Sequence, residues 1–252
     1  MKITDKITQY FMERKLRESY GDNVLIQRGP NGSLFIPSNA PEVPEWRVDG
    51  KSDFDKFIKR YGMTAVDSQG NEVGKYTMAS RGSIEASKDV TMIAPEYKDR
   101  FGRRWTVIQE EARPIDVARR GKNARVLAFP AGIIGDETAF KNESAMESAV
   151  RELTEETGLK PKKIVCLNPH GEIRTTPGLT DEATNFYKAT IEELKPSAKA
   201  VTDGGVTRGW HFVPVKRLPQ WFEALAKTGK TASGQTLTAI ALMILSKGKI
   251  KA

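Results

Sequence analysis

The chain has little of what several common protein classes need. Its single cysteine, Cys166, excludes a disulfide framework and suits a reducing compartment. The two histidines, His170 and His211, suggest no Cys–His or Ser–His–Asp arrangement, and a glycine-rich phosphate loop is absent. The longest apolar run, 239–245, is far too short to span a bilayer, and the first residues show no run of signal-peptide length. We therefore expect a cytoplasmic protein with no membrane partner.

The charge of the chain is unevenly distributed. The formal net charge is +8, but residues 201–252 alone hold eight Lys and Arg against two acidic residues. The remaining residues are nearly balanced, so we expect a solvated basic face and not a nucleic-acid partner. A basic surface could also attract a polyphosphate substrate. With 252 residues, 38% of them hydrophobic, the chain can form one domain with a substantial extension.

Residues 143–159 contain the signals of a short helix. Ser144 and Glu147 have the spacing of a capping box, and Gly158 suits the left-handed residue after a last turn. Between them, Ala149 and Leu153 recur along one stripe, which predicts the buried face of the helix.

Three carboxylates stand together on this predicted helix. Glu152, Glu155 and Glu156 occupy positions i, i+3 and i+4, so their side chains converge. Arg151 lies four residues before Glu155 and can pair with it. An amphipathic helix with a solvated acidic face is one explanation of this pattern. The other is a site for a hard divalent cation such as Mg²⁺ or Mn²⁺, which takes several oxygen ligands.

The stretch 143–159 resembles the signature of the Nudix hydrolases: a Glu, seven residues, and then Arg-Glu-apolar-x-Glu-Glu-x-Gly-apolar. The signature also has a glycine six residues before its first Glu, where this chain has Glu137. The equivalent glycine is expected to be Gly132, which leaves about five additional residues around 138–142. The resemblance therefore implies a longer loop before the helix than the family usually has.

The resemblance also implies a fold. The Nudix fold is an α/β (α+β) arrangement in which a mixed β-sheet lies between α-helices. The similarity covers about residues 88–247, so we expect a Nudix hydrolase domain at 88–252 and an N-terminal extension at 1–87.

The extension has local patterns of its own. Apolar residues predict a helix over 1–20, with Ile3, Ile7, Tyr10 and Phe11 on one side. The turn residues Pro-Asn-Gly at 30–32 predict a hairpin between strands at 24–26 and 34–36. Further predicted elements are a linker at 37–50, a short helix at 53–61 and two strands at 64–66 and 75–78.

Three more segments resemble the ADP-ribose pyrophosphatase branch of the family. In the first, Arg113 follows a strand, and the resemblance implies that its guanidinium contacts the phosphates of the substrate. The second, 129–132 (Phe-Pro-Ala-Gly), implies that the main-chain carbonyl of Ala131 binds metal. The third is a loop that carries Glu182, the implied general base, beside its competitor Asp181. An arginine on the surface and a solvent-exposed turn glutamate are the alternatives for Arg113 and Glu182.

These inferences define a predicted active site. The predicted metal ligands are Glu152, Glu155, Glu156 and the carbonyl of Ala131. The predicted catalytic residues are Glu182, Glu155 and Arg151, and the predicted substrate-binding residues are Arg113 and Gly132. Four nearby basic residues are expected to be solvated loop charges: Arg119, Arg120, Lys122 and Arg125.

The branch implies an activity and an assembly. The activity is Mg²⁺-dependent hydrolysis of a nucleoside diphosphate linked to another moiety, with ADP-ribose giving AMP and ribose 5-phosphate. The alternatives are a nucleotide-sensing module, or a hydrolase of another nucleotide sugar, NADH or capped RNA. The branch further implies a homodimer in which residues 64–81 contribute to the interface or the nucleotide pocket. The rival arrangement is an N-terminal region that folds back on its own subunit as a cap.

Overall fold

The computed structural model describes residues 3–38, 59–80, 82–83, 86–87, 89–135, 138–169, 171–176, 179–196, 201–202 and 205–246. The α-helices within these residues are α1 (Ile3–Tyr20), α2 (Pro114–Arg120), α3 (Ala145–Thr157), α4 (Leu218–Ala226) and α5 (Gly234–Leu245). The strands within them are β1 (Gln27–Arg28), β2 (Leu34–Pro37), β3 (Lys59–Val66), β4 (Glu72–Ser80), β5 (Gly82–Ser83), β6 (Ala86–Ser87), β7 (Val90–Lys98), β8 (Arg104–Ala112), β9 (Val126–Ala128), β10 (Ala131–Ile133), β11 (Pro161–Cys166), β12 (Thr184–Ile191), β13 (Val201–Thr202), β14 (Gly205–Pro214) and β15 (Thr231–Ala232).

The main sheet is mixed, and its strands β7 and β8 separate along part of their length. Its strand order is β1-β2-β14-β8-β7-β12-β11, with β12 parallel to β7 and most other neighbours antiparallel. Strands β7 and β8 pair only from Glu96–Thr106 to Lys98–Arg104. Beyond that point β8 pairs with β9 and β7 pairs with β10, so the sheet splits. Helix α3 packs against β7 and β10, at this opening.

Helices cover both faces of the sheet. Because side chains alternate along a strand, Ile93 contributes to a core with α1 and α3, while Met92 and Ala94 contribute to a core with α4 and α5. The predicted mixed sheet between helices is therefore confirmed. No helix in the described part of the chain is long and apolar enough to cross a membrane.

The N-terminal residues complete this domain. Strand β2 pairs with β14, and Met12 and Leu16 of α1 are buried in the main core. The helix predicted over 1–20 is confirmed, but Ile7 and Tyr10 of its predicted apolar side are exposed, and Met12 and Leu16 make the core contacts instead. The hairpin around 30–32 is confirmed, although its first strand is at β1 and not at 24–26.

Strands β3 and β4 form a separate two-stranded hairpin. It contains the predicted strands at 64–66 and 75–78, which are confirmed. The predicted helix over 53–61 is wrong at 59–61, where β3 begins, and 53–58 lie outside the described residues. Most of the predicted linker, 39–50, also lies outside them.

The expectation of solvated loop charges at 119–125 holds for Lys122, which is exposed between α2 and β9, but it needs correction for the arginines. Arg119 and Arg120 lie on α2, a helix that was not predicted. Arg125 is mostly buried, with its Nε 3.7 Å from Oε1 of Glu110. Burial is the main reason that the pKa of Arg125 falls below its usual value.

A buried polar network on the side of α4 joins β8, β14 and Lys230, the residue just before β15. Oε2 of Glu110 lies 2.6 Å from Nε2 of His211 and 2.6 Å from Nζ of Lys230. Burial alone would raise the pKa of Glu110, but the hydrogen bonds and charges of His211 and Lys230 outweigh it and lower the pKa to about 2. Burial lowers the pKa of His211, although the hydrogen bond and the charge of Glu110 act in the opposite direction.

Glu110→Gln is expected to destabilise the protein by about 2 kcal/mol near neutral pH, because it removes a charged acceptor from this network. The pKa of Glu110 is lower in the folded than in the unfolded protein, so its stabilisation is present above the ordinary value of 4.5 and is lost as pH falls towards about 2. Urea unfolding of both proteins across this pH range measures the effect. A stability difference that stays constant over the range would contradict the assignment.

Candidate active site

Helix α3 begins and ends as its sequence predicts. The Ser144 backbone N–H donates to Oε2 of Glu147 at 2.8 Å, and the Glu147 N–H donates to the Ser144 hydroxyl at 3.3 Å. After the last turn, Gly158 adopts a φ of 67°, which favours glycine. Ala149 and Leu153 are fully buried, and Glu152 and Glu156 lie beside them on the buried side of α3.

Arg151 ties several carboxylates together. Its Nε and Nη2 donate to the two oxygens of Glu143 at 3.1 and 2.8 Å. Its Nη1 donates to Glu152 at 2.7 Å and to Glu155 at 3.1 Å, so the predicted pair with Glu155 is confirmed. The hydrogen bonds to Glu143 raise the pKa of Arg151, and the same contact lowers the pKa of Glu143. Arg151 therefore positions the carboxylates of Glu152 and Glu155.

Glu143 is a site residue to which the sequence assigned no role. Because Glu143 is the first Glu of the signature, its position in the signature could have indicated that it belongs to the site. One of its oxygens also accepts the Gly135 N–H at 2.9 Å, which joins the residues on either side of the additional loop. Within that loop, the Phe140 ring lies 4.7 Å from the guanidinium carbon of Arg151.

The three glutamates of the helix differ in burial. Glu152 is 8% exposed and Glu156 is 4% exposed, whereas the Glu155 side chain is 53% exposed. The prediction that all three side chains converge holds for Glu152 and Glu156, which face the opening of the sheet. Glu155 lies at the exposed edge of this opening, and its contact with the other site residues is the hydrogen bond that it accepts from Arg151.

Glu156 has the most unusual environment of the three. It accepts a hydrogen bond from the Ala131 N–H, yet its Oε2 is buried without a hydrogen-bond partner among the residues that the structure describes. Burial raises the pKa of Glu156 well above its usual value, and the charges of Glu111 and Glu152 raise it further, while Arg113 lowers it. A buried carboxylate beside two others is chemically suited to a divalent cation.

Gly132 makes room for one of these carboxylates. A Cβ at this position would overlap the carboxylate of Glu152. The segment 129–132 therefore brings a glycine against Glu152 and the backbone of Ala131 against Glu156. The predicted grouping of this segment with α3 is seen in the fold.

Arg113 lies at the start of α2 and forms an ion pair with Glu111. Glu111 is fully buried, and the sequence did not indicate it as a site residue. The alternation of side chains along β8 could have revealed it. Glu111 lies on the same face of the strand as Val107, which packs in the core beside α3.

The loop that carries Glu182 is held from two sides. On one side, the Ser80 hydroxyl donates to Oδ2 of Asp181 at 2.8 Å. On the other, Nε2 of Gln235 in α5 donates to Glu182 at 3.3 Å and to Thr184 at 3.2 Å. A cavity of about 400 Å³ lies here. Its lining includes Thr176, Thr180, Glu182 and Gln235.

Sheet pairing brings this loop to the same end of the fold as α3. Val90, the first residue of β7, pairs with Ile133 on one side and with Thr184 on the other. Ala131 and Glu182 each lie two residues from these partners. The loop of Glu182 and the segment 129–132 therefore flank the start of β7.

The oxygen ligands at this site suit a hard divalent cation, but their positions do not yet surround one common point. Among the described residues, no group of three or more acidic, histidine or cysteine side chains already stands in a metal-holding arrangement. Arg151 hydrogen-bonds both Glu152 and Glu155, which is one reason why the carboxylates do not converge on a single position. The buried Oε2 of Glu156 is the observation that fits a cation, because it is an oxygen donor without a hydrogen bond among the described residues.

Comparison with known proteins agrees with this architecture. The model of the NUDIX domain matches residues 100–233, just over half of the chain, so the protein belongs to the NUDIX family. It is a Nudix hydrolase of the pyrophosphohydrolase class, in a family whose enzymes generally use divalent metal ions.

A solved structure described as the crystal structure of an ADP compounds hydrolase has the same fold. It is similar with a TM-score of 0.52 and 16% sequence identity, over 84% of this chain and 92% of that chain. At this identity the likeness extends to the fold alone. A search of curated proteins found no match.

Proposed function

We propose that the protein hydrolyses the diphosphate of a nucleoside diphosphate linked to another moiety, with ADP-ribose the leading substrate. The products would be AMP and ribose 5-phosphate. The observation that carries the proposal is the buried carboxylate group of Glu152 and Glu156 beside the backbone of Ala131. The segments around Arg113 and Glu182, which resemble the ADP-ribose pyrophosphatase branch, support the choice of substrate. The solved structure of an ADP compounds hydrolase with this fold is consistent with it.

The divalent ion of this proposal is Mg²⁺ or Mn²⁺. Glu152, Glu155, Glu156 and the carbonyl of Ala131 would hold it. When bound, such an ion neutralises diphosphate charge and makes a neighbouring water more acidic. Arg151 holds Glu152 and Glu155 through its own hydrogen bonds, so the ion would compete with Arg151 for both carboxylates.

The other residues bind and activate the reactants. Glu182 would accept the proton of the attacking water, and Gln235 orients its carboxylate through the hydrogen bond at 3.3 Å. Arg113 meets Glu111 through Nε, so its terminal nitrogens would contact the diphosphate. Gly132 would contribute to substrate binding by allowing Glu152 to lie against the backbone of the segment 129–132.

A substrate panel tests the proposal. ADP-ribose, other nucleotide sugars, NADH and capped RNA are incubated with the protein and Mg²⁺, and the products are separated and assayed for phosphate released by a phosphatase. ADP-ribose is expected to give AMP and ribose 5-phosphate, with no products in EDTA. Saturable ADP-ribose binding without turnover would point to the sensing module instead. Preferential cleavage of another compound would replace the substrate.

We also propose a homodimer formed through the β3–β4 hairpin. Met63 and Tyr76 are cross-strand partners, and they are 46% and 52% exposed. One face of the hairpin therefore presents large apolar side chains to solvent, which a second copy could cover. The end of the same hairpin is bound to the catalytic loop, because the Ala79 N–H donates to the Leu179 carbonyl at 2.9 Å. A partner on the hairpin would therefore adjoin the cavity of Glu182.

Met63→Lys combined with Tyr76→Lys is expected to convert the dimer into a monomer, because it places charges on the apolar face. Light scattering coupled to size exclusion measures the mass. The control is Thr64→Lys combined with Thr77→Lys, which puts the same charges on the opposite face of the hairpin and should leave the dimer intact. A monomeric wild type, or a dimeric Met63→Lys/Tyr76→Lys variant, would rule out this interface.

A further inference from the structure

We infer that Glu111 is an additional carboxylate ligand of the divalent-ion site. It lies outside the helix signature and comes from a different element of the fold. The inference rests on the proposed function, because it concerns the same metal site. It begins with the position of Glu111, the next-to-last residue of β8, on the face of the strand that is directed towards α3.

Glu111 is buried among charged groups. Its exposure is 0%, and its ion pair with Arg113 brings a cation to the end of β8. The charges of Glu111 and Arg113 both act on Glu156, so the three side chains form one cluster between β8 and α3. A carboxylate offers about four acceptor sites, so the ion pair with Arg113 does not by itself prevent Glu111 from binding a cation.

Glu156 supplies an independent observation. Its Oε2 is buried in the same cluster without a hydrogen-bond partner among the described residues. Two buried carboxylates beside each other repel, and burial strengthens that repulsion because the local dielectric constant is low. A divalent ion between them would remove the repulsion and provide the partner that Oε2 of Glu156 lacks in the described part of the chain.

The rival role for Glu111 is to anchor Arg113 and nothing more. The two roles differ in what happens without a nucleotide. If Glu111 is a metal ligand, its loss weakens metal binding even when no nucleotide is present. If Glu111 only anchors Arg113, its loss weakens the binding of the diphosphate and leaves metal binding unchanged. Mn²⁺ binding in the absence of nucleotide therefore separates them.

The experiment titrates Mn²⁺ into metal-free full-length protein and follows free Mn²⁺ by electron paramagnetic resonance. Glu111→Gln is expected to weaken Mn²⁺ binding by at least about tenfold, the lower end of what a supporting residue of a metal site contributes. The matched control is Glu96→Gln, which neutralises a buried carboxylate at the opposite end of β7 and should bind Mn²⁺ as the wild type does. Wild-type affinity in Glu111→Gln would overturn the inference.

Two further measurements keep the outcome decisive. The rise in melting temperature caused by Mn²⁺ should be smaller in Glu111→Gln than in the wild type, and this difference is independent of any change in basal stability. If Glu111→Gln does not fold, Glu111→Asp keeps the charge opposite Arg113 but shortens the side chain, and it should also bind Mn²⁺ more weakly. An unchanged Mn²⁺ response in Glu111→Asp would then overturn the inference.

Failure of the inference can be told from failure of the proposed function. If Glu156→Gln loses Mn²⁺ binding while Glu111→Gln keeps it, the metal site stands and Glu111 is only an anchor for Arg113. If the wild type binds no Mn²⁺, the proposed function and the role of Glu111 fall together.

Discussion

Glu156→Gln is expected to lower the turnover number for ADP-ribose by at least about a hundredfold, a loss of about 3 kcal/mol of transition-state stabilisation. The substitution keeps the size of the side chain and removes the charge of the most buried glutamate of α3 in the site. The fold should be retained, because neutralising a buried carboxylate that lies beside Glu111 and Glu152 relieves repulsion. Steady-state kinetics with Mg²⁺ measure the rate, and circular dichroism checks the fold.

Two comparisons sharpen this test. Glu96→Gln removes a buried carboxylate that is paired with Arg104 and Lys188 far from the site, and its rate should be unchanged. Glu155→Gln should cost less than Glu156→Gln, since the Glu155 side chain is more than half exposed. Near wild-type turnover in Glu156→Gln would refute the metal assignment.

The second large effect is expected at the loop of the general base. Glu182→Gln should lower turnover by about a hundredfold or more, which is the usual contribution of general acid–base catalysis. Mn²⁺ affinity should stay near the wild-type value, because Glu182 lies on a separate loop from the helix glutamates. Single-turnover rates and a Mn²⁺ titration on the same preparation distinguish a lost base from a lost metal ion.

Asp181→Asn is the matched variant for this loop. Asp181 accepts a hydrogen bond from Ser80, so we expect it to position the loop and to have the smaller effect on turnover. A larger effect at Asp181 than at Glu182 would mean that the alignment of the loop is wrong by one residue. If neither variant loses activity, a glutamate of α3 is the base.

Deletion is not a suitable test of the N-terminal region. Deletion of residues 1–87 would remove Met12 and Leu16 from the main core and β2 from the sheet. Such a deletion would unfold the domain and reveal nothing about assembly. Substitutions on the β3–β4 hairpin leave that core intact and address the dimer directly.

Local patterns predicted those parts of the protein in which short-range chemistry decides the structure. The capping box of Ser144 and Glu147 and the glycine at 158 determine the ends of α3, because each satisfies backbone groups within a few residues. The spacing of Glu152 and Glu156 similarly places both carboxylates on one face of a helix. The family signature follows from the same short stretch.

Local patterns failed where several elements compete for burial. The helix at the N-terminus was predicted, but its buried side is set by Met12 and Leu16, because these residues meet the sheet. The helix predicted at 59–61 is a strand, since pairing with 78–80 outweighs the local preference. The helix α2 was missed because a short basic stretch has no apolar period to reveal it.

The sequence alone determined the family, the helix with its glutamates and the pairing of Arg151 with Glu155, because these depend on residues that are close together along the chain. Only the tertiary structure placed Glu111 beside Glu156, joined Glu143 to Arg151, and brought Gln235 to Glu182. The partners at positions 111 and 156 and at 182 and 235 are far apart in sequence. Their proximity results from the splitting of β7 from β8 and from the packing of α5 on the sheet. Long-range packing of this kind leaves no periodic trace in the sequence, so the electrostatics of the site could be described only from the fold.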